Sequence, residues 1–119
     1  MIGLIALLVA LVAGALEAAA PAVRVTPTTT VPASARCPQW WTLAAEVGWP
    51  AEELPAVDRV MWCESTCEPS AHNRSGASGL MQLMPMWWHG RDPYDPAVNL
   101  SIALELWEDQ GWSPWSCRP

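Results

Sequence analysis

Two stretches of this chain place apolar residues at helical spacing. In the first, the positions that share one helix face are Val57, Val60, Met61 and Glu64, at i, i+3, i+4 and i+7. In the second, they are Leu100, Ala103, Leu104 and Trp107. With the proline and glycine positions that bound helices, these patterns predict a mainly α domain without strands. Its four predicted helical segments are Pro38–Val47, Pro55–Ser65, Gly79–Met84 and Pro96–Gln110.

Glu64 is the acidic residue on the first of these apolar faces. A carboxylate on such a face is partly desolvated, which raises its pKa and keeps it protonated near neutral pH. A general acid needs that property. Periodicity alone favours a simpler interpretation, in which Glu64 is a helix-end residue that reaches into water. The sequence that follows Glu64 has to decide between the two.

The N-terminal part of the chain has the pattern of an export signal. Residues 1–16 are almost wholly apolar and small residues follow to Ala22, which predicts a secretory signal peptide over residues 1–22. No Lys or Arg precedes the apolar run, so an uncleaved membrane anchor is the alternative. The run is short of the about 20 residues that a full span needs. Residues 23–36, rich in Thr, Pro, Val and Ala, are typical of a disordered linker.

The folded domain is therefore predicted over residues 37–119, and it contains all the cysteines of the chain: Cys37, Cys63, Cys67 and Cys117. So small a domain often needs covalent staples. An even cysteine count behind an export signal predicts two disulfides. Cys63 and Cys67 are four residues apart at a helix end, a poor geometry for bonding each other, so each is expected to pair with Cys37 or Cys117. A zinc site is the competing interpretation, but the spacing lacks a paired Cys-x-x-Cys.

Charge and aromatic content narrow the possible partners. The net charge is −6, with six Arg and no Lys, so no basic patch for nucleic acid is present. The chain has nine Trp, one Tyr and no Phe. Trp faces suit sugar rings, although most Trp in a small domain belong to the core. We expect a monomer in which two or three of the nine face a groove.

The most specific motif starts at Glu64. From Glu64 to Pro85 the chain reads Glu-Ser-Thr-Cys-Glu-Pro-Ser-Ala-His-Asn-Arg-Ser-Gly-Ala-Ser-Gly-Leu-Met-Gln-Leu-Met-Pro. This stretch resembles the signature of the soluble-lytic-transglycosylase family, which opens with Glu-Ser, carries a Pro and an Asn in the next loop, and then reads Gly-Ala-x-Gly-Leu-Met-Gln. Asp92-Pro93-Tyr94-Asp95-Pro96 and Asn99-Leu100 are similar to the family's next segment. The resemblance covers about residues 57–107, and Cys63-Glu64-Ser65 is also similar to the related resuscitation-promoting factors.

The resemblance implies a lysozyme-like fold and an exported enzyme, secreted or held at the cell envelope, that cleaves peptidoglycan without metal or cofactor. Glu64 would protonate the glycosidic oxygen between N-acetylmuramic acid and N-acetylglucosamine. It would then act as base on the muramyl 6-hydroxyl, which closes a 1,6-anhydro ring. Ser65 would orient the acid or the sugar. The groove wall and substrate-binding residues would be Gly79, Leu80, Met81 and Gln82.

Alternatives to several of these roles come from the residues themselves. The backbone freedom that a tight turn needs explains Gly76 and Gly79 as well as direct substrate contact does, and Met81 and Met84 fit the core better than a subsite. Glu68 is a rival acid that is expected to be solvated.

Departures from the family pattern leave the outcome of the reaction open. The later Ala-Tyr-Asn-Ala-Gly motif of the family is absent, and the chain closes with Trp115-Ser116-Cys117. That absence leaves a hydrolytic muramidase as an alternative, with Asp92 or Asp95 as second carboxylate, although Asp-Pro pairs are more often turn formers. A catalytically weak peptidoglycan-binding or resuscitation-type module of the same fold is the other alternative.

Overall fold

The computed structural model describes residues 30–119, which form three α-helices. Helix α1 covers Pro38–Glu46, α2 covers Leu54–Ser65 and α3 covers Pro96–Gln110. Two short 3₁₀ turns lie at Ala51–Glu53 and Pro85–Trp87. The mainly α prediction is confirmed, and the three long helices differ from their predicted bounds by one residue at most. No strand is present among the described residues, only isolated bridges.

Proline and glycine set the bounds of these helices. Pro38 and Pro96 occupy the first helical position of α1 and α3, where a missing N–H costs nothing. The Asp95 carboxylate caps α3 by accepting the Val98 N–H at 3.0 Å. At the other end of α3, the N–H of Gly111 donates to the Trp107 carbonyl at 2.7 Å.

The predicted helix over Gly79–Met84 is wrong. Gly79 and Gln82 have φ of +78° and +48°, which a right-handed helix cannot contain. Ser78 and Leu83 instead exchange two backbone hydrogen bonds, of 3.0 and 3.1 Å, and close a tight turn. We call residues 78–83 the glycine turn.

The core lies where α1, α2 and α3 meet. The fully buried part of the α2 face is Val57, Val60 and Met61, each with 1% or less of its surface exposed. From α3 come Leu100, Ile102 and Ala103, equally buried. The predicted apolar faces of both helices therefore form the interior of the domain.

Two disulfides staple this core, as predicted. Cys37 bonds Cys67 and Cys63 bonds Cys117, with Cα atoms 5.4 and 6.0 Å apart. Each cysteine near the end of α2 thus pairs with one far along the chain, and no cysteine of the described residues is free. The zinc interpretation fails because all four thiols are consumed.

The segment that precedes α1 is tied to α2. The carboxylate of Asp58, itself 6% exposed, accepts the backbone N–H groups of Arg36 and Cys37 at 2.9 and 2.8 Å. Val31 and Ala35 pack against the core. The predicted signal peptide and the first part of the predicted linker lie outside the described residues. Within residues 30–119, no helix is long and apolar enough to cross a membrane.

Candidate active site

Glu64 occupies the last turn of α2, half-buried above the apolar face of that helix. Burial raises the pKa of its carboxyl above the usual value, while a hydrogen bond from the Cys117 backbone N–H lowers it by less. That N–H donates to Oε1 at 3.2 Å. The second carboxyl oxygen, Oε2, has no hydrogen-bond partner among residues 30–119. Glu64 therefore presents one anchored oxygen and one available oxygen, and the rise in pKa predicted from its helix face is present.

Ser65 is the next residue, and it points into the protein. Only 5% of its surface is exposed, and its hydroxyl donates to the Met61 carbonyl at 3.0 Å. This bond back to the preceding turn lies within α2 and does not reach Glu64. The chain leaves the helix immediately afterwards, because Thr66 and Cys67 both adopt left-handed backbone angles. Ser65 thus supports the helix end that carries the acid.

Gly79 is fixed by close packing. A Cβ at this position would overlap the Pro93 carbonyl oxygen and the Asn99 side-chain nitrogen, and φ is +78°. The Gly79 N–H also donates to the Ala71 carbonyl at 2.8 Å. Both findings give Gly79 a conformational reason for being glycine.

Leu80 and Met81 belong to the core, since neither side chain has any exposed surface. The backbone of Met81 is occupied on both sides. Its N–H donates to the Asn99 side chain at 2.9 Å, and its carbonyl accepts the Trp115 indole N–H at 2.9 Å. These two residues hold the glycine turn in position and offer no side chain to a ligand.

Gln82 is half-buried, and both of its amide protons are used. Its Nε2 donates to the carbonyls of Ala71 and Gly79, each at 3.0 Å. Because both partners are acceptors, the amide orientation is unambiguous. The Oε1 atom has no donor among the described residues, so Gln82 can only accept a hydrogen bond from a ligand, such as an acetamido N–H.

The C-terminal tail, residues 112–117, reaches Glu64 through the Cys117 backbone N–H. Trp112 stacks on Trp49 with ring centroids 5.6 Å apart, and Trp115 is 4% exposed. The disulfide from Cys117 to Cys63 joins the tail to the residue before Glu64. Three anchors along six residues thus place the Cys117 N–H at the acid.

Sequence reasoning missed the importance of Asn99. Although its side chain has no exposed surface, Nδ2 donates to the carbonyls of Ser78 and Pro93 at 3.1 and 2.9 Å, and Oδ1 accepts from Met81. One side chain therefore fixes the glycine turn to the segment ahead of α3. The available signal was a polar residue within the apolar run of a helix, where it must find buried partners.

A second missed feature is a three-membered polar cluster. The His72 ring nitrogen Nδ1 lies 3.0 Å from the Ser78 hydroxyl and 3.2 Å from the Tyr94 hydroxyl, and the two hydroxyls are 3.2 Å apart. Ser78 is fully buried, whereas Tyr94 is 41% exposed. This cluster joins the glycine turn to the Asp-Pro-Tyr-Asp-Pro segment on the side of Tyr94.

The other candidate acids are occupied in local turns. Glu68 is exposed and accepts the Ser70 hydroxyl at 2.8 Å. Asp92 accepts the Tyr94 N–H at 2.9 Å, and Asp95 caps α3. None of these bonds involves Glu64. Among residues 30–119, no group of three His, Cys, Asp or Glu could hold a metal ion.

Two clefts on the surface are lined by other residues than Glu64. One of about 340 Å³ lies between the segment before α1 and α2, beside Arg36, Trp41 and Arg59. A smaller one, of about 130 Å³, lies beside Trp87, His89 and Glu105. The partly desolvated carboxyl of Glu64, and not a surface cleft, therefore identifies the candidate site.

Comparison with known families gives a match. The model of the transglycosylase SLT domain matches residues 49–110, more than half of the chain. The matched range contains α2 with Glu64, the glycine turn and α3, and it ends just before the C-terminal tail. The comparisons with curated proteins and with solved structures give no match.

Proposed function

Since the chain belongs to the transglycosylase SLT domain family, whose activity on peptidoglycan is of the lytic-transglycosylase type, we propose that it cleaves the β-1,4 bond between N-acetylmuramic acid and N-acetylglucosamine with Glu64 as acid and base. The observation that carries this proposal is the environment of Glu64. Burial above the α2 face raises its pKa, and one oxygen faces no partner within the described residues. A carboxyl that holds its proton to higher pH and has one available oxygen is suited to protonating a leaving group.

The reaction has two proton transfers. Glu64 gives its proton to the glycosidic oxygen as the bond to the muramyl anomeric carbon breaks. The resulting carboxylate then takes the proton of the muramyl 6-hydroxyl, whose oxygen bonds to that carbon and closes the 1,6-anhydro ring. The carboxyl ends protonated, as it began. No second carboxylate is needed, in contrast to ordinary glycoside hydrolysis.

Substrate contacts are assigned to the glycine turn. Gln82 contributes its Oε1 as acceptor for an acetamido N–H, because its donors already bind Ala71 and Gly79. Gly79, Leu80 and Met81 shape the wall through their backbone, since the Leu80 and Met81 side chains are buried. Ser65 acts indirectly, through the end of α2.

The proposal includes export to the cell wall, where the substrate lies. Two disulfides fit an oxidising compartment, and the apolar N-terminus of the sequence fits a signal peptide or a membrane tether. The protein acts as a monomer on glycan strands.

The test is a product analysis. Purified full-length protein and its Glu64→Gln variant are incubated with peptidoglycan, and the soluble fragments are analysed by mass spectrometry. Wild type is expected to release anhydro-muropeptides, and Glu64→Gln to release them about 10²–10⁴-fold more slowly. Gln keeps the size of the side chain and an oxygen for the Cys117 N–H, so folding is preserved.

Glu68→Gln is the matched control, since Glu68 is an exposed acid four residues away, and it is expected to keep wild-type activity. Reducing ends in place of anhydro ends would identify a hydrolytic muramidase instead. If all three proteins bind peptidoglycan and none releases fragments, the chain is a binding module and the proposed enzymatic activity is refuted.

A further inference from the structure

The C-terminal tail lies beyond the residues that match the family model, yet it is firmly built into the site. Trp115 donates its indole N–H to the Met81 carbonyl of the glycine turn at 2.9 Å. Trp112 donates to the Glu53 carboxylate at 3.3 Å and stacks on Trp49. A segment held by packed aromatic side chains and a disulfide keeps its backbone in one place.

The last anchored group of the tail contacts the acid directly. The Cys117 backbone N–H donates to Glu64 Oε1 at 3.2 Å. Within residues 30–119, burial and this N–H shift the pKa of Glu64, and no charged side chain contributes. Cys117 is therefore the polar group of the described residues that distinguishes the two carboxyl oxygens.

A backbone N–H can only donate, so the oxygen that it binds is a poor position for the carboxyl proton. With Oε1 accepting from Cys117, the proton of neutral Glu64 resides on Oε2, which has no partner among residues 30–119. After the proton is given away, the same N–H stabilises the carboxylate through a charge-assisted bond. The contact thus favours both the orientation of the acid and the charge that develops on it.

We propose that the backbone N–H of Cys117 positions Glu64, so that Oε2 is the oxygen that transfers the proton, and that the disulfide from Cys63 to Cys117 holds this donor in place. This inference rests on the proposed function and deepens it. It makes the tail the third side of the site, beside α2 and the glycine turn. Cys117 is a positioning residue, because it acts through Glu64 and not on the substrate.

The two disulfides differ in a way that agrees with this role. Cys37 and Cys67 are 1% and 7% exposed and belong to the core, whereas Cys63 is exposed and Cys117 half-buried. The second bond therefore contributes little to the apolar interior. Its position instead fixes the tail beside Glu64, the residue that follows Cys63.

The experiment compares two variants of the full-length chain that both lack this disulfide. Cys63→Ala with Cys117→Ala keeps the N–H at position 117, whereas Cys63→Ala with Cys117→Pro removes it. Both change only the chain end and one exposed position, and thermal unfolding checks that the two have the same Tm. We measure kcat and KM on peptidoglycan, and the pKa of Glu64 by carbon-13 NMR of its carboxyl.

The proline variant is expected to show about tenfold lower kcat than wild type at equal KM, since it loses one hydrogen bond to a charged group. The alanine variant, which loses the disulfide but keeps the N–H, should lie between the two. The pKa of Glu64 is expected to be higher in the proline variant, because an N–H donor favours the ionised form. Equal kcat and equal pKa in wild type and in both variants would overturn the inference.

A second measurement needs no variant of the tail. In wild type, the Cys117 amide proton is expected to shift with pH in step with the Glu64 carboxyl, and this response is lost in Glu64→Gln. The response reports the contact whether or not glycan is cleaved. A wild type without product would refute the proposed function, whereas a Cys117 amide that ignores Glu64 would refute the inference.

Discussion

The glycine turn and the C-terminal tail meet at the bond from Trp115 to the Met81 carbonyl, but different interactions hold them in place. The turn depends on a missing Cβ at Gly79 and on the buried amide of Asn99. The tail depends on stacked indoles and a disulfide at Cys117. Both have irregular backbone, and neither is stabilised by helical hydrogen bonds.

The difference shows two ways to fix an irregular segment in a small domain. Close packing around a glycine tolerates no added atom, so the turn is rigid because it has no room. The tail is restrained at separate points along its length, so the loss of one anchor leaves the others. Substitutions in the turn should therefore affect the whole fold, and substitutions in the tail should act more locally.

The largest expected effect is that of Gly79→Ala. The added methyl group would overlap the Pro93 carbonyl and the Asn99 side chain, so the turn and the start of α3 must separate. We expect the free energy of unfolding to fall by at least about 4 kcal/mol. Urea unfolding followed by Trp fluorescence measures it.

Gly90→Ala is the matched control for this substitution. Gly90 has nearly the same φ, +77°, and no atom lies within 4 Å of the point that an added methyl group would occupy. Gly90→Ala therefore has the backbone strain without the steric overlap, and should lower the free energy of unfolding by about 1–2 kcal/mol. Equal losses in the two variants would show that backbone strain, and not packing against Asn99, fixes the turn.

The next effect in size tests the bond that joins the two regions. Trp115→Phe keeps an aromatic ring but leaves the Met81 carbonyl without its donor. We therefore expect the free energy of unfolding to fall by about 2 kcal/mol. Hydrogen exchange at the Cys117 amide should also become faster, because the tail loses an anchor.

Trp88→Phe serves as comparison for the indole deletion. Trp88 is half-buried and donates to the Leu83 carbonyl, which also accepts the Ser78 N–H. For Trp88→Phe we expect a smaller fall in the free energy of unfolding and an unchanged rate of hydrogen exchange at the Cys117 amide. Faster exchange in both variants would mean that the tail responds to general loosening of the domain.

Sequence can predict the parts of this fold that local rules determine. The apolar faces of α2 and α3 and their proline and glycine bounds are readable from neighbours along the chain. The helix predicted over the glycine turn is wrong because Leu80, Met81 and Leu83 form a compact apolar run that imitates a helix. The actual conformation depends on the buried amide of Asn99, about twenty residues further along, and the pattern within the turn itself does not reveal that partner.

In the candidate site, too, local features can be predicted from the sequence and distant contacts cannot. The helix face of Glu64 predicts the burial and the raised pKa that the structure has. Its hydrogen-bond partner, 53 residues away, could not be predicted, since a backbone N–H leaves no trace in residue type. The cysteines are the only signal in the sequence that the chain end returns to Glu64.

The smallest expected effect concerns the linkage between Glu64 and stability. Because burial raises the pKa of Glu64 in the folded state, the folded protein holds this proton to higher pH than the unfolded chain does. The contribution of Glu64 to stability is therefore intact below the unfolded value of about 4.5. It is lost as the pH rises toward the raised folded pKa, and is constant above it. Glu64→Gln cannot ionise, so its free energy of unfolding should rise relative to that of wild type across this window.

Urea unfolding of both proteins at a series of pH values measures the difference. Activity should fall through the same window, because the acid loses its proton. A difference that is flat with pH would mean that the carboxyl has the same pKa in the fold as in the unfolded chain, so that the hydrogen bond from the Cys117 N–H fully offsets the effect of burial.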